Sequence, residues 1–318
     1  MARSAAVPAA VSIRFRPDQK NSVKVACTAA RCPDRLARFL RAASVAFLLL
    51  ADANTYSHAT PLPREARVPG GVAIVRVADA TAPAPAVTRE GVRVWVTAHR
   101  AGKETPGWYA VVGIPLGITP GQQALNVNEN GVDRSVSFKV TGKKYPVQKL
   151  TFTNKRMVEP NAEDVVRIER EGKHLGQVKR TWRDASDTSA AFQLPANGPL
   201  SSQFGLQRVL NGKPRSPHAG LDVAVPVGTP IVSAAGGVVL DTGNYYFNGN
   251  TVWIDHGNGL LSLYCHLSEI NVRAGDRVEK GQAIGLSGMT GRVTGPHLHW
   301  AVLLNTVMVE PTLFLPRE

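Results

Sequence analysis

Between Val68 and Phe152 the chain alternates apolar and polar positions with a period of two. Val72 and Ile74 are separated by small or polar neighbours, Val92, Val94 and Val96 by Arg93 and Trp95, and Val136, Phe138 and Val140 by Ser137 and Lys139. This is the period of half-buried strands, whose successive side chains point to opposite faces. Turn-forming residues punctuate it at Ala82-Pro83-Ala84-Pro85, Pro106-Gly107, Pro120-Gly121 and Asn130-Gly131. The expectation is a small β-sandwich or barrel-like domain over 68–152, with no catalytic grouping in it.

The pattern changes over 153–198, which reads as a connecting segment. Pro160-Asn161 followed by Ala162-Glu163-Asp164 predicts a helix start with acids in its first turn. Charged residues then dominate to about Asp187, which predicts a charged surface helix. From Leu200 the period of two returns. Val238-Val239-Leu240, Thr251-Val252-Trp253-Ile254 and Leu260-Leu261-Ser262-Leu263-Tyr264 are strand candidates. Gly236-Gly237, Asn248-Gly249 and Asn258-Gly259 supply turns between them. The fold class expected is therefore mainly β, with a second antiparallel domain over 199–318.

The amino-terminal pattern is of another kind. Arg35, Arg38 and Arg41 precede an apolar run from Ala42 to Ala51, and Ser57-His58-Ala59 offers small residues for cleavage. These are the three parts of a secretory signal peptide, and the run is too short to span a bilayer as a helix. Residues 1–59 are read as this signal, with a preamble that suggests a start further in. The expected location is the periplasm or the extracellular envelope, with no membrane insertion after signal removal.

Composition adjusts the picture in two places. The formal net charge is +13, of which residues 1–59 carry six, so the exported chain is basic but less so than the whole. That balance suits an anionic wall polymer. No Lys/Arg run with interleaved aromatics is present, so nucleic acid is not the expected partner. Of three cysteines, Cys27 and Cys32 fall in the signal, leaving Cys265 and no internal disulfide.

Candidate chemistry concentrates at the carboxy-terminal end, where five of eight histidines lie between His218 and His299. His218 and Asp222 are four apart, a spacing that returns both to one face of an extended segment. Pro217 and Gly220 argue against a helix there. His297 and His299 are two apart, so on a strand they share a face and Leu298 turns to the core. His266 ends the run Ser262–His266, in which alternation puts Ser262, Tyr264 and His266 on one face and Cys265 on the other. A thiol protease built on Cys265 and His266 is disfavoured on that ground. Imidazole nitrogens and a carboxylate are ligands that zinc takes, and a catalytic zinc site keeps three of them.

These residues carry a family resemblance. Residues 200–315 resemble the LytM/lysostaphin-type zinc metallopeptidases through Ser202-Gln203-Phe204-Gly205, Asn211-Gly212, His218 to Asp222, Gly228-Thr229-Pro230, Ile254-Asp255-His256-Gly257, Tyr264 with His266-Leu267, Gly281-Gln282, and Thr290-Gly291-Arg292 through His299. Val68–Phe152 resembles, less specifically, the β-domain that precedes some of these peptidases. The resemblance implies one zinc ion bound by His218, Asp222 and His299, with His266 and His297 as unligated catalytic histidines. It also implies a peptidoglycan substrate, cut in its cross-links or stem peptides. The alternatives are a catalytically silent wall-binding regulator and a structural envelope protein. The Asp255-His256-Gly257 segment is read as a turn. The residues do not say which free histidine is the base, which peptide bond is cut, or the oligomeric state.

Overall fold

The computed structural model describes residues 61–99, 105–151, 153, 156 and 158–317. The signal predicted over 1–59 lies outside the described residues. Alternation builds what it predicts in the amino-terminal half. Val72–Asp79, Trp95–His99 and Gly107–Gly113 form one antiparallel sheet. Ala86–Arg89, Val92–Arg93, Gly121–Glu129 and Val132–Val140 form a second. The inward positions Val75, Val77, Val112, Leu125, Val127 and Phe138 make a core of their own. Each such side chain contributes roughly 1.5–3 kcal/mol when withdrawn from water.

The carboxy-terminal half is organised by one larger sheet. Its strands run in the order Arg277–Val278, Gly237–Tyr245, Gly249–Asp255, Leu260–Leu267, Leu298–Leu304, Leu221–Val223 and Leu200–Ser202, with Val307–Val309 also paired to Leu298–Leu304. Both faces are covered. Leu221, Val223, Tyr264, Leu298, Trp300 and Val302 face one core, and Leu261, Leu263, Cys265, Ala301 and Leu303 face another. The first core also takes in Val72, Trp95 and Val111 from the amino-terminal sheet. The two β-regions thus share buried apolar surface. The strand Val147–Leu150 extends this union, pairing in parallel with Gln207–Leu210.

The helix begins where the sequence places it. Asn161 caps it, accepting a hydrogen bond from the Asp164 backbone, while Asp164 answers to the Asn161 backbone. It ends earlier than expected, at Val178 rather than near Asp187. The residues beyond are drawn into other contacts. Arg183 pairs with Asp255 at 2.9 Å, Thr188 bonds the His256 carbonyl at 3.1 Å, and Phe192 is fully buried in the main core. Burial of Phe192 needs an extended chain laid across the sheet, so the periodic charge does not prolong the helix.

His256 belongs to this framework. Its Nδ1 lies 2.8 Å from the Gly236 carbonyl and its Nε2 2.8 Å from Ser262 Oγ. Burial lowers its pKa to about 4, against the Gly236 bond and the Asp255 charge, which favour the cation. An unfolded imidazole titrates near ~6.5. Between those values the unfolded chain binds a proton that the folded chain refuses, so stability is complete above the upper value and falls as pH drops through the window. The loss amounts to about 3 kcal/mol. Urea unfolding from pH 7 to 4 is expected to show this slope, reduced by one proton in His256→Gln.

Candidate metal centre

Three elements bring the donor atoms together. Leu221–Val223 and Leu298–Leu304 pair antiparallel with Asp222 directly opposite His299, so both side chains leave the same face. The turn before Leu221 carries His218, whose Nδ1 lies 2.8 Å from the Gln203 carbonyl. That bond puts the proton on Nδ1 and leaves the Nε2 lone pair directed inward. His218 Nε2 is 3.0 Å from Asp222 Oδ1 and 3.0 Å from His299 Nδ1, and the last two atoms are 2.7 Å apart. Donors around a tetrahedral zinc ion stand roughly 3.3 Å from one another. The three atoms are thus already at the spacing of a metal's first coordination sphere, and the group could hold a metal ion.

The electrostatics agree with a cation at this point. Burial alone would raise the Asp222 carboxyl, but the interactions with His218 and His299 outweigh it and hold the carboxyl well below the usual carboxylate range. Asp222 is therefore anionic. Its second oxygen, Oδ2, is engaged by Arg208 Nη2 at 3.2 Å, which fixes the carboxylate plane. Burial pushes His299 below the ordinary imidazole range, which keeps its ring neutral.

Close packing explains the glycine between His218 and Asp222. A Cβ on Gly220 would stand 2.5 Å from His299 Cε1 and 2.7 Å from the Trp300 carbonyl. Gly220→Ala is therefore expected to push the His299 ring out of place. The expected cost is roughly 10–100-fold in metal affinity, the scale seen when a ligand's support is disturbed. Competition with a chromogenic chelator measures it.

His266 reaches the centre by a route that alternation does not predict. Tyr264 pairs with Trp300 and Cys265 with His299, so regular pleating would turn His266 away from His299. The backbone corrects this. Asn250 faces Leu267 while Val252 faces Tyr264, a register shift that leaves Cys265 and His266 together opposite Thr251. His266 occupies the left-handed region at φ 65°. A bulge with a left-handed residue re-aims a side chain, and such strain in a bulky residue concentrates at functional sites. The His266 ring lies 4.9 Å from His297 and 6.0 Å from His299, centroid to centroid. The exclusion of a thiol nucleophile accordingly rests on burial and not on strand faces. Cys265 is fully buried, and burial drives its thiol well above the ordinary range.

Both remaining histidines are oriented by carbonyls. His266 Nδ1 is 2.9 Å from the Thr290 carbonyl, and His297 Nδ1 is 2.8 Å from the Gly295 carbonyl. Each therefore keeps its proton on Nδ1 and presents Nε2 as an acceptor. His297 Nε2 lies 3.8 Å from Asp222 Oδ1. Burial first, then the neighbouring histidines, lower the pKa of His266 to about 3. It stays a neutral base under ordinary conditions.

Four of the five side chains, Asp222, His266, His297 and His299, line one cavity of about 260 Å³ together with Arg208 and Arg292, while His218 lies buried behind them. Gln148 and Leu150 of the amino-terminal region form part of its wall. The five residues singled out in the sequence are thus brought together. Arg208, the carbonyls of Gln203, Thr290 and Gly295, and the wall from Val147–Leu150 were not anticipated. Backbone acceptors have no sequence signature, and a parallel strand pairing over some 60 residues leaves none either.

The chain matches the model of peptidase family M23 over residues 216–311 and that of the M23 N-terminal domain over residues 65–143. A crystal structure from Pseudomonas aeruginosa assigned to peptidase M23 is 39% identical, covers 79% of this chain and 95% of its own, and superposes with a TM-score of 0.64. Peptidoglycan DD-endopeptidase ShyA of Vibrio cholerae is 48% identical over 106 residues, 33% of this chain and 25% of that protein. The DD-carboxypeptidase/endopeptidase Mpg of Neisseria meningitidis is 45% identical over 94 residues, 30% of this chain and 22% of that protein. The match to these curated relatives thus spans about a quarter of their length.

Proposed function

The chain belongs to peptidase family M23, and on that footing we propose that it is a zinc-dependent endopeptidase cutting the peptide cross-links or stem peptides of bacterial peptidoglycan. The observation that carries the reading is the convergence of His218 Nε2, Asp222 Oδ1 and His299 Nδ1, with two further imidazoles free beside them. These three residues are assigned as the zinc ligands, and the donor set of two nitrogens and one carboxylate oxygen fits that ion. Zinc bound there supplies Lewis acidity to the scissile carbonyl and brings the pKa of its water to about 7.

The chain's own residues then handle protons. We assign the base to His266, whose Nε2 is an acceptor while Nδ1 is held by Thr290. It takes the proton of the attacking water and returns it to the leaving amine. His297 Nε2 is likewise an acceptor while it is neutral, so it donates to the developing oxyanion only after gaining a proton. The bulge at His266 serves this arrangement by bringing its ring to the His297 and His299 side.

The named relatives act on peptidoglycan, which supports an envelope location and the export read from residues 1–59. No described helix is long and apolar enough to cross a membrane. A silent wall-binding regulator finds no support in the site, because neither a ligand nor a free histidine is missing. Digestion of purified peptidoglycan is the test. Soluble muropeptides should appear with the zinc-loaded protein, vanish with a chelator and return with added zinc. Equal release with and without chelator would overturn the reading.

A further inference from the structure

A second cavity, of about 460 Å³, lies where the two β-regions meet, and it shares no lining residue with the cavity of the metal centre. Two tight turns contribute to its wall. One is Glu90-Gly91, between Ala86–Arg89 and Val92–Arg93, and the other is Asn305-Thr306, between Leu298–Leu304 and Val307–Val309. All four residues are left-handed, with φ of 51°, 79°, 53° and 68°. For a β-branched residue such as Thr306 that angle is a genuine outlier, of the kind that concentrates at functional sites. Trp182, from the segment after the helix, also lines the cavity and is pinned there. The Arg93 guanidinium carbon lies 4.3 Å from its ring centroid, and a Cβ on Gly259 would stand 2.9 Å from the ring. Asp184 Oδ1 accepts from Trp182 Nε1 at 2.8 Å and from Arg93 Nη2 at 2.9 Å.

The wall holds more cations than its acids answer. Arg93 is paired with Asp184, and Glu90, the only acid among the lining residues, acts on the neighbouring Arg89. Lys179 and Arg180 remain, with no carboxylate within ion-pair distance among the described residues. Lys179 is half-buried, and burial lowers its pKa with no neighbouring anion to oppose it, so a bound anion would relieve it. Asn305 adds an unused neutral donor. Its side chain is buried, its Oδ1 accepts from the Gly113 backbone at 3.1 Å, and its Nδ2 is left without an acceptor. We propose that this cavity is a binding site for a small oxyanion, a phosphate or a carboxylate, held by Lys179 and Arg180 beside the unpaired Asn305 amide. Its volume is that of a small-ligand site. Roughly 20 Å of extended chain separates Asn305 from His299, so the site is no extension of the metal centre. An occupant would tie a turn of the amino-terminal region to a turn of the larger sheet, and would stabilise the folded chain as its concentration rises.

Titration of the zinc-loaded chain with inorganic phosphate and, separately, with acetate tests the proposal, at ionic strength held constant with chloride. Amide proton–nitrogen spectra give the location, which matters because phosphate can also meet the zinc ion. The amides of Gly91, Gly259 and Thr306 are expected to shift saturably with at least one of the two probes. Saturation by phosphate alone assigns a phosphate site, and saturation by acetate a carboxylate site. Lys179→Met, which keeps the apolar stem and loses the charge, should weaken the probe at these amides roughly 10–100-fold. Lys179→Arg should retain most of the binding. Arg277→Met removes an equal charge outside the cavity and should leave it unchanged. Thermal unfolding should agree: the probe should raise the Tm of wild type and Lys179→Arg more than that of Lys179→Met. Amides that do not respond, that respond equally to chloride, or that respond alike in wild type and Lys179→Met would overturn the site. None of these results bears on the metal centre, whose ligands lie outside this cavity.

Discussion

His218→Ala is expected to bind no stoichiometric metal and to release no measurable muropeptide. The His218 side chain is almost wholly withdrawn from water, and its Nε2 stands 3.0 Å from each of the other two donors. Deleting it leaves two of the three proposed ligands, one of them an aspartate whose other oxygen is shared with Arg208. Two ligands do not retain zinc against a chelator, and the reaction then loses its Lewis acid. Metal content by atomic absorption and muropeptide release by chromatography should fall together. Asp222→Asn separates charge from shape. The amide keeps the volume but not the anion that favours the ion, so metal affinity should fall there as well. A His218→Ala protein that keeps one zinc and full hydrolysis would remove this residue from the site.

The second large effect is His266→Ala, and its signature is the opposite split. Metal should remain at one equivalent, because His266 is outside the donor triangle of His218, Asp222 and His299. Hydrolysis should drop by about 10²–10⁴-fold, the usual contribution of a positioned general base. The loss should appear in kcat, since His266 is assigned to the proton transfers and not to holding substrate. His297→Ala should also keep its metal. Unchanged turnover in His266→Ala would transfer the base assignment to His297.

The split between what the sequence announces and what it conceals follows from geometry. Alternation was legible wherever strands are regular, as in the pairing of Leu298–Leu304 with Leu260–Leu267. The pair His297 and His299, with Leu298 between them and fully buried, was legible for the same reason. The helix start was legible because a cap is a local arrangement of Asn161 and Asp164. Its end was not, because Phe192 is pulled from the pattern by a core that includes Trp300 and Phe314, remote in sequence. His266 shows the limit most clearly. The correct residue can be chosen by motif, yet its face comes out reversed, since a single left-handed backbone angle and a register shift override the pleat. Gly220 carried a hint in its place between two candidate ligands, but its reason, the ring of His299 against its Cα, exists only in three dimensions.

Anomalous diffraction at the zinc edge, from crystals grown with the metal, tests most directly whether one ion is shared by these three side chains. The predicted result is a single strong peak within about 2.0–2.2 Å of His218 Nε2, Asp222 Oδ1 and His299 Nδ1, with His266 and His297 beside it and unbound. A peak on other residues, or none between these three at saturating zinc, would contradict it.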